Sequence, residues 1–122
     1  KYFDKGDPYH CYCQKTTRLL SERFKQIPIQ TTFQSRFGPQ EWLQPYTDKT
    51  LENLPVEGKK NVLVICPGFS SDCVETLEEI SIQGKDSFLS NGGKNFDVVP
   101  CLNDSEDHIK LLEHLVKKYF VE

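Results

Sequence analysis

The sequence predicts an α/β fold, a three-layer α/β/α arrangement with a parallel sheet that is partial because its first strand is lacking. Three observations carry this. Helix-like and strand-like periodicities alternate along the chain in the order α, β, α, β, α, β, α. The segment Asn61-Val-Leu-Val-Ile-Cys66 is continuously apolar, as a central parallel strand covered on both faces would be. A helix rather than a strand comes first, so the missing strand is expected just before Lys1.

The elements follow in order. Asp7-Pro8 places a good cap and a first-turn proline ahead of a helix over Tyr9 to Lys25, with Thr17, Leu20 and Phe24 on one face. Ile27 to Phe33 alternates weakly and predicts a strand, which Gly38-Pro39 breaks. Thr47 or Asp48 caps a short helix through Leu54. Pro67-Gly68 ends the apolar strand, and Asp72 opens a long helix with a stripe of Val74, Leu77, Ile80 and Phe88. Asn91-Gly92-Gly93 supplies its left-handed stop. Phe96 to Leu102 is a third strand. Asp104 or Ser105 then caps a closing helix carrying Ile109, Leu112, Leu115, Val116 and Phe120 at helical spacing.

With 37% apolar and 27% charged residues over 122 positions, the composition is that of one globular domain spanning 1–122. The net charge of -3 provides no basic field for phosphates, so nucleic acid is not an expected partner. The longest apolar run, Val62 to Ile65, is far shorter than the roughly 20 residues of a membrane helix, and the expectation is a cytoplasmic protein. The five cysteines, Cys11, Cys13, Cys66, Cys73 and Cys101, read as reduced thiols rather than a disulfide framework. The chain contains no methionine and begins at Lys1, so it is expected to continue upstream.

In an open α/β sheet, ligands bind beyond the carboxyl ends of the strands. Three segments are expected at that edge: Gln34 to Thr47, Cys66 to Glu75, and Cys101 to Ser105. Glu75, Glu79 and Gln83 fall at i, i+4 and i+8 and form one polar line, with Glu78 adding charge beside it. Carboxylates so placed either complement the helix dipole and face water, or hold a divalent cation and accept protons. The loop through Phe33, Phe37 and the lone Trp42 either plugs the sheet end or lines a flat apolar ligand. His10-Cys11-Tyr12-Cys13 offers soft ligands without the spacing of a zinc knuckle. No phosphate-binding glycine loop and no nucleophile elbow is present.

Three runs carry a resemblance: Thr32-Phe-Gln-Ser-Arg-Phe-Gly-Pro-Gln-Glu-Trp-Leu-Gln-Pro-Tyr-Thr-Asp48, Cys66-Pro-Gly-Phe-Ser-Ser-Asp-Cys-Val-Glu-Thr-Leu-Glu-Glu79 and Pro100-Cys-Leu-Asn103. Together with Gly6-Asp-Pro-Tyr9 they resemble, in order and spacing, the C-terminal half of bacterial ferrochelatase. The resemblance implies a Rossmann-like chelatase domain, one of two that face each other across a porphyrin cleft. It implies a lyase of haem biosynthesis that inserts ferrous iron into protoporphyrin, with iron as substrate and no iron–sulfur cluster. By that likeness Glu75 is the catalytic and metal-handling carboxylate, Glu79 the next acid of the line, and Ser35, Arg36, Trp42 and Cys73 belong to the porphyrin cleft. A histidine on the opposite face of the porphyrin is implied upstream of Lys1. Gln83 departs from members with a third acid, and Cys73 stands where some relatives carry histidine. The implied partners are porphyrin, ferrous iron and an N-terminal ferrochelatase domain, with a homodimer through the exposed cleft wall and contact with a membrane surface as further expectations. The alternative is a catalytically incomplete domain that binds porphyrin or a partner.

Overall fold

Two short apolar strands, β1 (Asn61–Val64) and β2 (Asn95–Val98), pair in parallel with Asn61 opposite Asn95 and Val64 opposite Val98 in a computed structural model that describes residues 6–35, 38–39 and 41–120. Parallel strands need a helical crossover. Here it is a π-helix, Glu75–Gly84, that runs directly into the α-helix α3, Lys85–Ser90. Ahead of the sheet lie α1 (Tyr9–Arg23) and α2 (Thr47–Asn53); after it comes α4 (Glu106–Lys117). The α/β class and the parallel sheet are as the sequence predicts.

The core forms where the crossover and α2 meet the sheet. Leu51, Cys66, Ile80, Phe88 and Phe96 are buried together, with Val62, Val64 and Val98 packed against them. Phe88 is fully buried, its ring 5.7 Å from that of Phe96. Burying a phenyl side chain contributes about 1.5–3 kcal/mol. Leu63 of β1 and Ile65 just beyond it alternate with the core-packed positions and are exposed, as the two-residue period of an extended chain requires.

The helix ends follow local chemistry. Pro8 rather than Asp7 takes the N-cap position of α1, with Asp7 Oδ1 accepting the Tyr9 N–H at 2.9 Å from one residue further out, and the helix ends at Arg23 rather than Lys25. Gly92 takes φ of +95° and ends α3, its N–H donating to Leu89 O at 3.0 Å. Gly93 is required by contact: a Cβ there would overlap the Phe88 ring.

Three expectations are corrected. Ile27 to Phe33 is not a strand; Pro28 supplies no N–H, and Phe33 forms a single parallel bridge to Tyr46. The third strand stops at Val98 because Pro100 cannot extend the ladder, though Val99 N–H still donates to Val64 O at 2.8 Å. In the long helix the buried positions are Thr76, Ile80, Gly84 and Phe88, whereas Val74 and Leu77 are exposed. The cause is the π-helical stretch: hydrogen bonds such as Lys85 N–H to Ile80 O span five residues and shift the inward face.

α1 carries no buried residue, and α4 buries only His108. The apolar side chains Ile109, Leu112, Leu115 and Val116 of α4 are each between 44 and 52% exposed. Among the described residues no helix is long and apolar enough to cross a membrane.

Candidate functional site

The loop that follows the Phe33 bridge is closed at its base by two backbone hydrogen bonds, Phe33 N–H to Pro45 O at 2.9 Å and Thr47 N–H to Phe33 O at 3.0 Å. Trp42 Nε1 then donates across the loop to Gln34 O at 3.0 Å. These bonds aim Gln34 and Ser35 at the π-helix. Gln34 Nε2 donates to Glu75 O at 2.9 Å, and Gln34 Oε1 accepts from the Cys66 thiol at 3.6 Å. Ser35 sits at φ of +61°, a conformation that costs a non-glycine residue about 1–2 kcal/mol. Its N–H and Oγ both donate to Glu79, at 2.8 Å to Oε1 and 2.6 Å to Oε2, and these charge-assisted bonds offset the strain.

Beside this contact a groove of about 870 Å³ opens between α2 and the π-helix. Asp48, Glu52, Glu75, Glu78, Glu79 and Gln83 contribute its polar side; Leu51, Val74 and Ile80 contribute apolar surface. The structure therefore brings together Ser35, Glu75, Glu79 and Gln83 along the groove. Gln83 Nε2 lies 3.3 Å from Glu78 Oε1, so it caps a carboxylate rather than extending the row of acids.

Glu75 occupies the first turn of the π-helix and is half-buried. The Cys73 thiol beside it, followed by its own backbone N–H, donates to the carboxyl group and holds it below the ordinary carboxylate range. Glu75 is thus an ionised acceptor at neutral pH, at a helix N-terminus where the helix dipole favours negative charge. Cys73 is half-buried, and its N–H donates to Thr76 Oγ1 at 3.0 Å.

Other expected residues stand apart. Trp42 does not line this groove; its indole N–H is engaged with the loop backbone. Arg36 and Phe37 lie outside the described residues. Cys11 is exposed and Cys13 half-buried on α1, both free thiols. Among the described residues no group of three or more His, Cys, Asp or Glu is arranged to hold a metal ion by itself.

Two residues to which the sequence alone assigned no site role organise the strand-end loops. Asp72 and Asn103 bond reciprocally across the strand-end loops: Asp72 N–H donates to Asn103 Oδ1 and Asn103 Nδ2 to Asp72 Oδ2, both at 2.8 Å. Asn103, with Thr76 next, holds the Asp72 carboxyl below its ordinary value. Asn103 adopts φ of +49°, and its strand-end position after Pro100-Cys-Leu was the available signal. Close by, burial first and the neighbouring Cys101 second raise the Cys66 thiol to about 11, so it is not a thiolate nucleophile.

Comparisons with known proteins agree among themselves. The family described as Ferrochelatase matches residues 1–119. The ferrochelatase of Rhizobium meliloti (strain 1021) is 59% identical over 119 residues, covering 96% of this chain and 35% of that protein. That of Rhizobium etli (strain CIAT 652) is 60% identical over the same length and shares. The ferrochelatase of Teredinibacter turnerae (strain ATCC 39867 / T7901) is 54% identical over 118 residues, 95% of this chain and 32% of that protein. The chain spans about a third of the length of the curated relatives it matches.

Proposed function

The chain belongs to the ferrochelatase family, and from that premise we propose that it is the C-terminal part of a lyase that inserts ferrous iron into protoporphyrin to make haem. The observation that supports this most is Glu75: an ionised, half-buried carboxylate on the rim of an acidic groove, held by Cys73 and the strand-end loop.

Metal insertion replaces two pyrrole N–H protons with one divalent cation. A ferrous ion approaching the ring exchanges water first for a protein oxygen and then for the ring nitrogens. Glu75 and the histidine implied upstream of Lys1 divide the work between the two faces of the ring: one passes the metal in, and the other takes the two pyrrole protons in turn and hands each to solvent. Glu79 is proposed as the next acid of the path, with both oxygens already accepting from Ser35. Ser35, Arg36, Trp42 and Cys73 are proposed at the edge of the porphyrin cleft, with Trp42 acting through the Gln34 loop it pins. Ferrous iron and porphyrin are substrates, and no cluster is proposed. A cytoplasmic setting with peripheral contact at a membrane is part of the same proposal.

The test is a chimera in which residues 1–119 replace the matched part of the Rhizobium meliloti ferrochelatase. We expect zinc and ferrous insertion into porphyrin, falling on the order of 10²–10⁴-fold in Glu75→Gln. An inactive chimera with a native-like fold, or an E75Q variant of unchanged rate, would overturn the assignment. The exposed apolar faces of α1 and α4 favour a second reading for the chain by itself, a domain that binds porphyrin or a partner, an N-terminal ferrochelatase domain or a second copy, without turnover.

A further inference from the structure

Glu75 begins the π-helix, but nothing within that helix fixes the direction in which its first turn leaves the sheet. Immediately before that turn the two strand-end loops are clasped together. Asp72 lies three residues before Glu75 and Asn103 five residues after the end of β2. The Asp72 backbone N–H donates to Asn103 Oδ1, and Asn103 Nδ2 donates to the Asp72 carboxylate, as described above. The same Asp72 carboxylate accepts from Thr76 Oγ1 at 2.9 Å and from Cys101 N–H at 3.3 Å. Thr76 Oγ1 in turn accepts the Cys73 N–H at 3.0 Å, so the clasp reaches the residue that flanks Glu75.

Asn103 is itself braced from three sides. Its N–H donates to Ser70 O at 2.9 Å, its carbonyl accepts from Nδ1 of the buried His108 at 2.6 Å, and its amide holds Asp72. Its left-handed backbone, φ +49°, is what allows one residue to address Ser70, Asp72 and His108 together. Two loops that leave different strands are thereby tied at the point where the site is built. None of these polar contacts adds a side chain to the apolar core, which lies among Leu51, Ile80, Phe88 and Phe96.

We propose that Asn103, acting through Asp72, is a positioning residue for Glu75: the amide–carboxylate clasp sets the angle of the first π-helical turn and hence the place of the Glu75 carboxylate in the groove. The proposal rests on the ferrochelatase reading for its kinetic consequence and on geometry alone for its structural one. A displacement of about 1 Å in a reacting group lowers rate by as much as 10²-fold while leaving distant binding contacts in place. Loss of the clasp therefore acts on kcat more than on KM for porphyrin.

The informative variant is Asn103→Gly, which keeps the positive φ without strain and removes only the amide. In the chimera we expect N103G to lower kcat for zinc insertion on the order of 10- to 10²-fold with KM for porphyrin changed by less than about threefold. The double variant Asp72→Asn, Asn103→Asp restores one amide facing one carboxylate and should recover part of the loss, which neither single change does. Phe88→Leu serves as the stability control: it lowers Tm while leaving kcat of the folded enzyme unchanged. In the 122-residue chain, N103G should accelerate hydrogen exchange of the Cys73 to Leu77 amides at least tenfold relative to those of β1 and β2. Wild-type kcat in N103G, or a uniform rise in exchange across the molecule, overturns the proposal. An inactive parent chimera sinks the ferrochelatase reading instead, and the exchange measurement then decides the positioning role alone.

Discussion

Asp72 and Glu75 are three residues apart, and both carboxyl groups are held below their ordinary range, each by a different set of donors. For Asp72 the donors are the Asn103 amide first and the Thr76 hydroxyl second. A carboxylate with a depressed folded-state pKa stabilises the fold above its unfolded value, and that contribution is lost as pH falls through the folded one. Chemical denaturation at successive pH values should therefore show stability declining in the acid range below the ordinary aspartate value. Asp72→Asn should flatten that decline and lower stability at neutral pH. An unchanged acid limb in D72N would mean that the clasp observed between the loops does not persist in solution. Glu79 is a contrasting case, because both of its oxygens are taken by Ser35. Glu79→Gln keeps one acceptor but cannot match two charge-assisted bonds. Its main expected effect is loosening of the Gln34–Ser35 segment, read as faster exchange of the Ser35 amide, with a smaller loss of insertion rate than E75Q.

The crossover helix shows how far sequence reasoning reaches at the level of an element. Its start near Asp72, its stop at Gly92 and the burial of Ile80 and Phe88 were legible, because capping chemistry and large apolar residues are local signals. The inward position of Thr76 and Gly84 was not, since a 3.6-residue period places Val74 and Leu77 inward instead. What selects the wider turn is tertiary. A Cβ on Gly84 would lie 3.0 Å from Leu51 Cδ1, so the helix approaches α2 closely there. Ser81 Oγ donates to Thr76 O at 2.8 Å, a five-residue reach along the same stretch. The strand expected at Ile27 to Phe33 failed for the converse reason: alternation was present, but Pro28 and the loop closure at Pro45 left no ladder to join. At the site, spacing and motif single out Glu75, Glu79 and Ser35, whereas the pairing of Asp72 with Asn103, 31 residues apart, left only the strand-end positions of its two members as a signal. The end of α3 gives the sharpest test of packing. Gly93→Ala forces a methyl group into the Phe88 ring, so we expect a loss of about 1–3 kcal/mol by urea denaturation. Phe88→Ala, which empties the centre of the core, should cost about 3–5 kcal/mol.

For the molecule as a whole, the asymmetry of its surface governs what it does by itself. The crossover helices and α2 gather with the sheet around the core, while Leu63 of β1, Ile65 after it and the apolar positions of α4 are exposed. The chain therefore resembles one wall of a larger structure, and large exposed apolar patches mark surfaces that meet a partner. A flat tetrapyrrole has two faces, and in the proposed reaction the groove that carries Glu75 addresses one of them. Removing two pyrrole protons while a metal enters is easiest when acceptor and metal donor lie on opposite faces, because a cation and the departing protons repel each other. The described residues supply an acidic groove for one face and nothing that encloses the other. We accordingly expect the 122-residue chain alone to bind porphyrin, with quenching of Trp42 fluorescence, while inserting zinc at less than about 1% of the chimera's rate, the loss expected when one general base of a pair is missing. The same chain should bind a hydrophobic dye through its exposed α4 face, and the signal per molecule should fall in the chimera. Rapid metal insertion by the isolated chain would show that a single carboxylate-bearing wall is sufficient, and the two-faced account of the chemistry would have to be abandoned.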